Sequence, residues 1–165
     1  MGSKDIPLNE RGLQQAHEVA QLLKNESFKS IVSSPMIRAK QTAEIIAEQT
    51  HKLIVCKNGL AEIGWGDAEG TPNDPPLSIF DDAHKPRGAE TIAAFQGRVV
   101  ETICSILVME KLPLLVSHGG VFKALTHYMG YKDLSASNCA CFFFKPPLDP
   151  AHPWGICALN GEEMW

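Results

Sequence analysis

Apolar residues recur along this chain in two alternating rhythms. Leu13, Ala16, Val19, Ala20 and Leu23 fall three and four apart, the spacing of one helix face, and Asn9 stands where a cap belongs. SIVS at residues 30–33 is too short and too β-branched for anything but a strand. Met36, Ala39, Ala43, Ile46 and Ala47 resume the helical spacing, with Ser34 as the expected cap and Pro35 at the first helical position. LIVC at 53–56 predicts a second strand. Residues 57–87 are rich in glycine and proline around Trp65 and Phe80, and predict one long functional loop region. Ile92, Phe95, Val99, Ile103 and Ile106 then mark a long helix, LPLLVS a buried strand, and Val121 to Met129 another helix. CACFFF and WGICAL predict two strands joined by a Pro-rich connection. Strands alternating with helices mean βαβ units. The expectation is an α/β fold of three layers, a mostly parallel sheet with helices on both faces. No internal repeat or low-complexity run divides it, so residues 1–165 are expected to form a single domain.

Composition narrows the function classes. The 165 residues are 44% hydrophobic and 21% charged, which suits a globular chain with one core. Fifteen Lys and Arg against nineteen Asp and Glu leave a net charge of -4, the opposite of the basic surplus of a nucleic-acid binder. Apolar runs break at charges or prolines within about ten residues, so no membrane span is expected. No basic segment followed by an apolar stretch stands at the start, so no secretory signal is expected. The five cysteines (Cys56, Cys104, Cys139, Cys141, Cys157) are odd in number and scattered among apolar residues. That fits a reducing, cytoplasmic setting better than a disulfide framework. Cys139 and Cys141 have the spacing of one strand face and lack the second ligand pair of a zinc knuckle.

Two stretches share one construction. SIVSSPMIRAKQTA runs from a strand into a helix with Arg38 in the first turn. LPLLVSHGGVFKAL does the same, with His118 at the strand's end and Gly119-Gly120 opening the helix. Ligands of open α/β sheets bind outside the carboxyl ends of the strands, and helix N-termini offer free N–H groups and partial positive charge. An arginine fork can hold two phosphate oxygens at once. Taken singly, an arginine in a first helical turn is usually solvated, and a histidine after a strand usually caps or packs. The matched pair of junctions is what points to a phosphoryl site. Trp65, Phe80 and TPNDPP either line a pocket or pack locally.

SSPMIRAKQTAEII, GLAEIGWGDAEG, PRGAET and VSHGGVFKAL, in that order, resemble successive motifs of the histidine phosphatase (phosphoglycerate mutase-like) superfamily. DIPLNERGLQQA resembles the segment after that family's first active-site loop, and Asn138 in LSASNCACFFF stands where the family often has an asparagine. The resemblance implies the three-layer fold named above and metal-independent phosphoryl transfer through a phosphohistidine on small phosphate esters, with no cofactor. It implies that Arg38 holds the phosphoryl group and that His118 stabilises its charge. Glu62, in the L-x-E-x-x-x-G-x-x-E-G pattern from Leu60 to Gly70, would protonate the leaving oxygen. Gly119 and Asn138 join the substrate-binding set. Glu69 reads as structural, and Glu90 as a carboxylate in the first turn of its helix. The short 57–87 region favours phosphatase over mutase, since the family's mutases carry larger insertions.

The sequence departs from the family at one place. The family's nucleophile is a histidine in an Arg-His-Gly loop at the end of a first strand, upstream of the part matching DIPLNERG. Here MGSKDIPLN stands in that place. Of the six histidines, His17 reads as exposed and mid-helix, His51 as a helix C-terminal charge partner, His127 as helical, and His84 and His152 as loop residues. None is a substitute nucleophile, and only His118 precedes a glycine. An N-terminally truncated product is the expectation, beside a short protein that fills the gap with another segment and a non-catalytic member. Expected partners are a small phosphorylated substrate or phosphate anion, with no nucleic acid and no membrane. The absent strand leaves a strand-paired homodimer open.

Overall fold

Alternation within one strand separates the layers of this molecule. The computed structural model describes residues 2–71, 78–132, 134–147, 149 and 154–159. In it β1 (Ser30–Ser33) lies between β2 (Ile54–Cys56) and β3 (Pro113–Val116) in a parallel sheet of order β2-β1-β3. Ile31 is in register with Ile54 and Leu114, and Val32 with Val55 and Leu115. Successive side chains leave a strand by opposite faces, so these two neighbours feed two different cores. Ile31 packs with Val19, Ala20, Leu23, Ala39, Ala43 and Ile46, whereas Val32 packs with Leu60, Ile63, Phe95, Val99, Ile103 and Val121.

The helices follow from that division. On the Ile31 face, α1 (Glu10–Leu23) starts where the Asn9 side chain accepts from Gly12 N, and it packs along α2 (Ile37–Thr50). On the Val32 face, α3 (Ile92–Met109) starts where Thr91 accepts from Ala94 N, and it packs on α4 (Gly119–Tyr128). The result is the three-layer α/β arrangement expected from the sequence. A separate antiparallel hairpin, β4 (Phe142–Lys145) with β5 (Gly155–Ala158), pairs Phe142 with Ala158 and Phe144 with Ile156.

Three details differ from the sequence reading. The α2 helix begins at Ile37 with Met36 in the cap position, and Ser34 is drawn instead into a contact with His118. The α4 helix runs from the expected Gly119-Gly120 opening, two residues ahead of the Val121 start that the apolar spacing marks, because His118 takes the extended cap conformation (φ -131, ψ 162). Finally α3, with a mean hydropathy of 1.5 over 18 residues, is by length and composition alone long and apolar enough to cross a membrane. Arg98 and Glu101 interrupt that run in the sequence. Those charges and the stripe of Phe95, Val99, Ile103 and Ile106 instead lay the helix on the sheet.

Phe95 anchors that helix. It is fully buried, and the Arg98 guanidinium carbon lies 4.7 Å from its ring centre. Phe95→Ala removes the ring from a packed core, and denaturant unfolding is expected to show a loss of about 3–5 kcal/mol. A loss below ~1 kcal/mol would mean that α3 is held elsewhere.

Candidate active site

Strands β1 and β3 end side by side, joined by Ser34 N–H donating to the Val116 carbonyl at 2.8 Å. Each then feeds a helix, so the openings of α2 and α4 come together. At the first opening, Ile37 N–H donates to Asp5 Oδ1 (2.6 Å). Arg38 donates from Nη1 to the Lys4 carbonyl and from Nη2 to the Gly2 carbonyl, both at 2.9 Å. A guanidinium carries five N–H groups, so the fork is oriented without being used up. Segment 2–5 is itself tied down by Glu69, whose carboxylate accepts from Ser3 N and Oγ, Lys4 N and Trp65 N. Burial raises the Glu69 pKa, but these hydrogen bonds outweigh it and hold the carboxyl below its ordinary range.

At the second opening His118 caps α4, with Nε2 2.7 Å from Ser34 Oγ. Burial, and after it the positive charges of Arg38 and Arg98, push its pKa from 6.5 down to about 3, with Asp5 opposing. The imidazole is therefore neutral in the empty site. One residue on, Gly120 N–H donates to Glu62 Oε2 (3.1 Å), and Glu62 Oε1 accepts from Ile63 N (3.0 Å). A Cβ at Gly120 would lie 2.0 Å from Glu62 Oε1, so only glycine lets the carboxylate come this close.

Glu62 is held from behind by Arg98. Its Nη1 donates to the Gly59 and Ala61 carbonyls, its Nη2 to the Glu62 carbonyl and Glu90 Oε2, and its Nε to Glu90 Oε1 at 2.7 Å. A cavity of about 300 Å³ opens in front, lined by Gly2, Glu62, Ile63, Trp65, Ile79, Gly119, Gly120, Lys123, Ser135 and Ala136. A wall of indole and aliphatic carbon thus faces one carboxylate, the start of a helix and the Lys123 ammonium.

Of the residues singled out from sequence, Arg38, Glu62, His118 and Gly119 gather around this region. Asn138 lies on an exposed turn and does not line the cavity. Glu69 ties the loop to segment 2–5, while Glu90 precedes the Thr91 cap and pairs with Arg98. Trp65 lines the cavity, and Phe80 packs on His127 with ring centres 4.6 Å apart. His17 is exposed on α1, His51 closes α2 in a left-handed conformation (φ 55), and His84 pairs with Asp81. His152 and nearly all of TPNDPP lie outside the described residues. The sequence reading missed Ser34 as a site residue and Arg98 altogether. The signal for Arg98 was present: a charge three residues after Phe95, on the apolar stripe of α3.

The family model for the histidine phosphatase superfamily (branch 1) matches residues 1–141. This chain belongs to that superfamily. Among curated histidine phosphatase relatives, it is 37% identical over 126 residues to the uncharacterised phosphatase PhoE of Bacillus subtilis, covering 75% of this chain and 65% of PhoE. It is 34% identical over 131 residues to the probable phosphoglycerate mutase GpmB of Yersinia pestis, covering 72% of this chain and 60% of GpmB. The chain thus spans a little under two thirds of the length of these two relatives. The fold is also that of solved structures in the comparison. YhfR of Bacillus stearothermophilus superposes with a TM-score of 0.83 over 99% of this chain and 89% of its own, at 22% identity. TTHB049 of Thermus thermophilus superposes at 0.66 over 86% and 80%, at 29% identity.

The neutral His118 has a consequence for this histidine phosphatase chain in acid. Between pH 6.5 and about 3 the unfolded imidazole binds a proton that the folded one refuses, so stability falls as pH falls through that window. Above the carboxylate range, from pH 6.5 to 5, denaturation midpoints are expected to drop in the wild type. The drop is expected to be smaller in His118→Gln. Equal slopes would show that His118 is not held neutral.

Proposed function

We propose that this chain carries the phosphoryl-binding and proton-donating groups of a metal-independent histidine phosphatase acting on small phosphate esters. The observation that carries the reading is that Glu62, Gly2 and the α4 opening at Gly119-Gly120 line one cavity, with His118 capping that opening and Arg38 donating to the Gly2 carbonyl. In this reading the Arg38 fork and the N–H groups around Gly119 hold the phosphoryl oxygens. His118 takes up charge as it develops, and a phosphoryl dianion beside it would draw a proton onto the ring. Glu62 delivers a proton to the departing oxygen, a role that rests on its position at the cavity wall, where the Ile63 and Gly120 N–H groups fix the carboxyl. The cavity of about 300 Å³ suits a small leaving group. Among solved relatives is a mycobacterial glucosyl-3-phosphoglycerate phosphatase determined with inorganic phosphate, similar at 24% identity and a TM-score of 0.67 over 78% of this chain and 72% of its own. Phosphatase rather than mutase chemistry is favoured by the short 57–87 region.

A second reading, a phosphate-binding protein of the same fold without turnover, is favoured by one observation. Among the described residues His118 is the histidine that caps the helix opening at the cavity, and its Nε2 is engaged by Ser34. Attack on phosphorus needs a nucleophile, and loss of one member of a catalytic set costs several orders of magnitude in rate.

Two measurements test these readings. Phosphate or vanadate at ~100 times Kd is expected to stabilise the chain by about 2.7 kcal/mol, and Arg38→Ala is expected to remove most of the melting shift. An unchanged shift in that variant would place the anion elsewhere. The 165-residue chain is expected to form no phosphohistidine from a chromogenic phosphate ester. Extension upstream by a strand ending in Arg-His-Gly is expected to restore turnover, and extension with alanine in place of that histidine is not. Labelling of the unextended chain would identify one of its own histidines as the nucleophile.

A further inference from the structure

Ser34 is completely buried at the end of β1, and its hydroxyl is committed on two sides. Met36 N–H donates to Oγ at 3.3 Å, and His118 Nε2 stands 2.7 Å away. A serine hydroxyl has one proton to give and two lone pairs to receive. If Nε2 carried the ring proton, Oγ would accept twice and its own proton would need a third partner. Among the described residues no such acceptor is within reach of Oγ. Leaving a buried hydroxyl donor unpaired is unfavourable, because its bond to water is lost and not replaced. With the hydroxyl proton directed at Nε2, the buried Ser34 hydroxyl is satisfied on both sides: Met36 N–H donates to Oγ, and Oγ–H donates to Nε2.

We infer that Ser34 is the positioning residue that selects the His118 tautomer, leaving Nε2 as acceptor and placing the single ring proton on Nδ1. This deepens the phosphoryl-site reading above and rests on it only for what Nδ1–H then binds. Nδ1 is bonded to Cγ and so occupies the ring edge nearest the main chain, beside the residues that open α4. Among the described residues it makes no hydrogen bond. The ring thus adds one more neutral N–H donor to those of the helix opening, and does so without placing a second charge beside Arg38 and Arg98. A phosphoryl oxygen would meet a set of donors already aligned, the preorganised arrangement that favours developing negative charge. A serine hydroxyl against a histidine is also the geometry of a nucleophile and its base. Ser34, with 0% exposure, has no path to a substrate, and its hydrogen bond here serves to orient the ring.

The experiment is long-range ¹H–¹⁵N correlation of the histidine rings in ¹⁵N-labelled protein near pH 7. His118 is assigned by its loss in His118→Gln. The wild-type ring is expected to show a protonated Nδ1 and a bare Nε2. In Ser34→Ala the Nε2–H form, which a solvated imidazole prefers, is expected to gain population. Ser34→Thr keeps the hydroxyl and is expected to restore the wild-type pattern. Inorganic phosphate, titrated by calorimetry, is expected to bind about tenfold more weakly to Ser34→Ala, the equivalent of one hydrogen bond. A protonated Nε2 in the wild type, or a ring pattern unmoved by Ser34→Ala, overturns the inference. The wild-type spectrum decides even if the alanine variant does not fold. If the tautomer pattern is as stated but inorganic phosphate fails to bind the wild type, the assignment of Ser34 stands and the phosphoryl-site reading falls.

Discussion

Everything in front of the sheet hangs from the guanidinium of Arg98. It has five N–H groups and the structure shows five hydrogen bonds, three to the carbonyls of Gly59, Ala61 and Glu62 and two to the Glu90 carboxylate. Its side chain is only 28% exposed, and so buried a cation is tolerable when paired and fully hydrogen-bonded. Because it rides on α3 one turn from Phe95, the loop that carries Glu62 is bolted to the hydrophobic core itself. Packing of an apolar helix and placement of a carboxylate at the cavity wall are one event. Removing Glu90 would leave the cation with carbonyls alone, and removing Arg98 would strand three carbonyls and a carboxylate together.

Segment 2–5 plays the complementary part on the other side of the cavity. Gly2 and Lys4 lend carbonyls to Arg38, Asp5 lends a carboxylate to the start of α2, and Glu69 gathers the segment's N–H groups. Arg38 is thereby aimed by main chain rather than by another side chain. Aim taken from main chain is costly to redesign, because no side-chain substitution replaces a carbonyl.

What could be read from sequence was set by local chemistry. The Asn9 cap, the helical stripes of α1 and α3 and the β-branched SIVS strand follow rules that act over a few residues, and they stand in the structure as expected. Arg38, Glu62 and His118 were visible because each sits in a strand-to-helix junction or a recognisable motif. Ser34 was assigned to the nearest helix as its cap, since nothing in SSPMIRAK tells that a histidine 84 positions away will claim its hydroxyl. Arg98 shows in the sequence only as a charge on an apolar stripe, for the same reason: its partners at 59, 61, 62 and 90 are close only after folding. Interactions between distant segments, and the choice of one hydrogen-bond partner over another, are decided by tertiary packing.

The depressed basicity of His118 says something about the whole site. Burial comes first, the charges of Arg38 and Arg98 add to it and Asp5 opposes them, so the imidazole gives up its proton where water is least able to stabilise it. A buried imidazole that refuses its proton costs the fold stability in acid. Replacing that ring by a side chain that does not titrate removes the cost even as it spoils the site. Selection for acid tolerance alone would therefore erode this pocket.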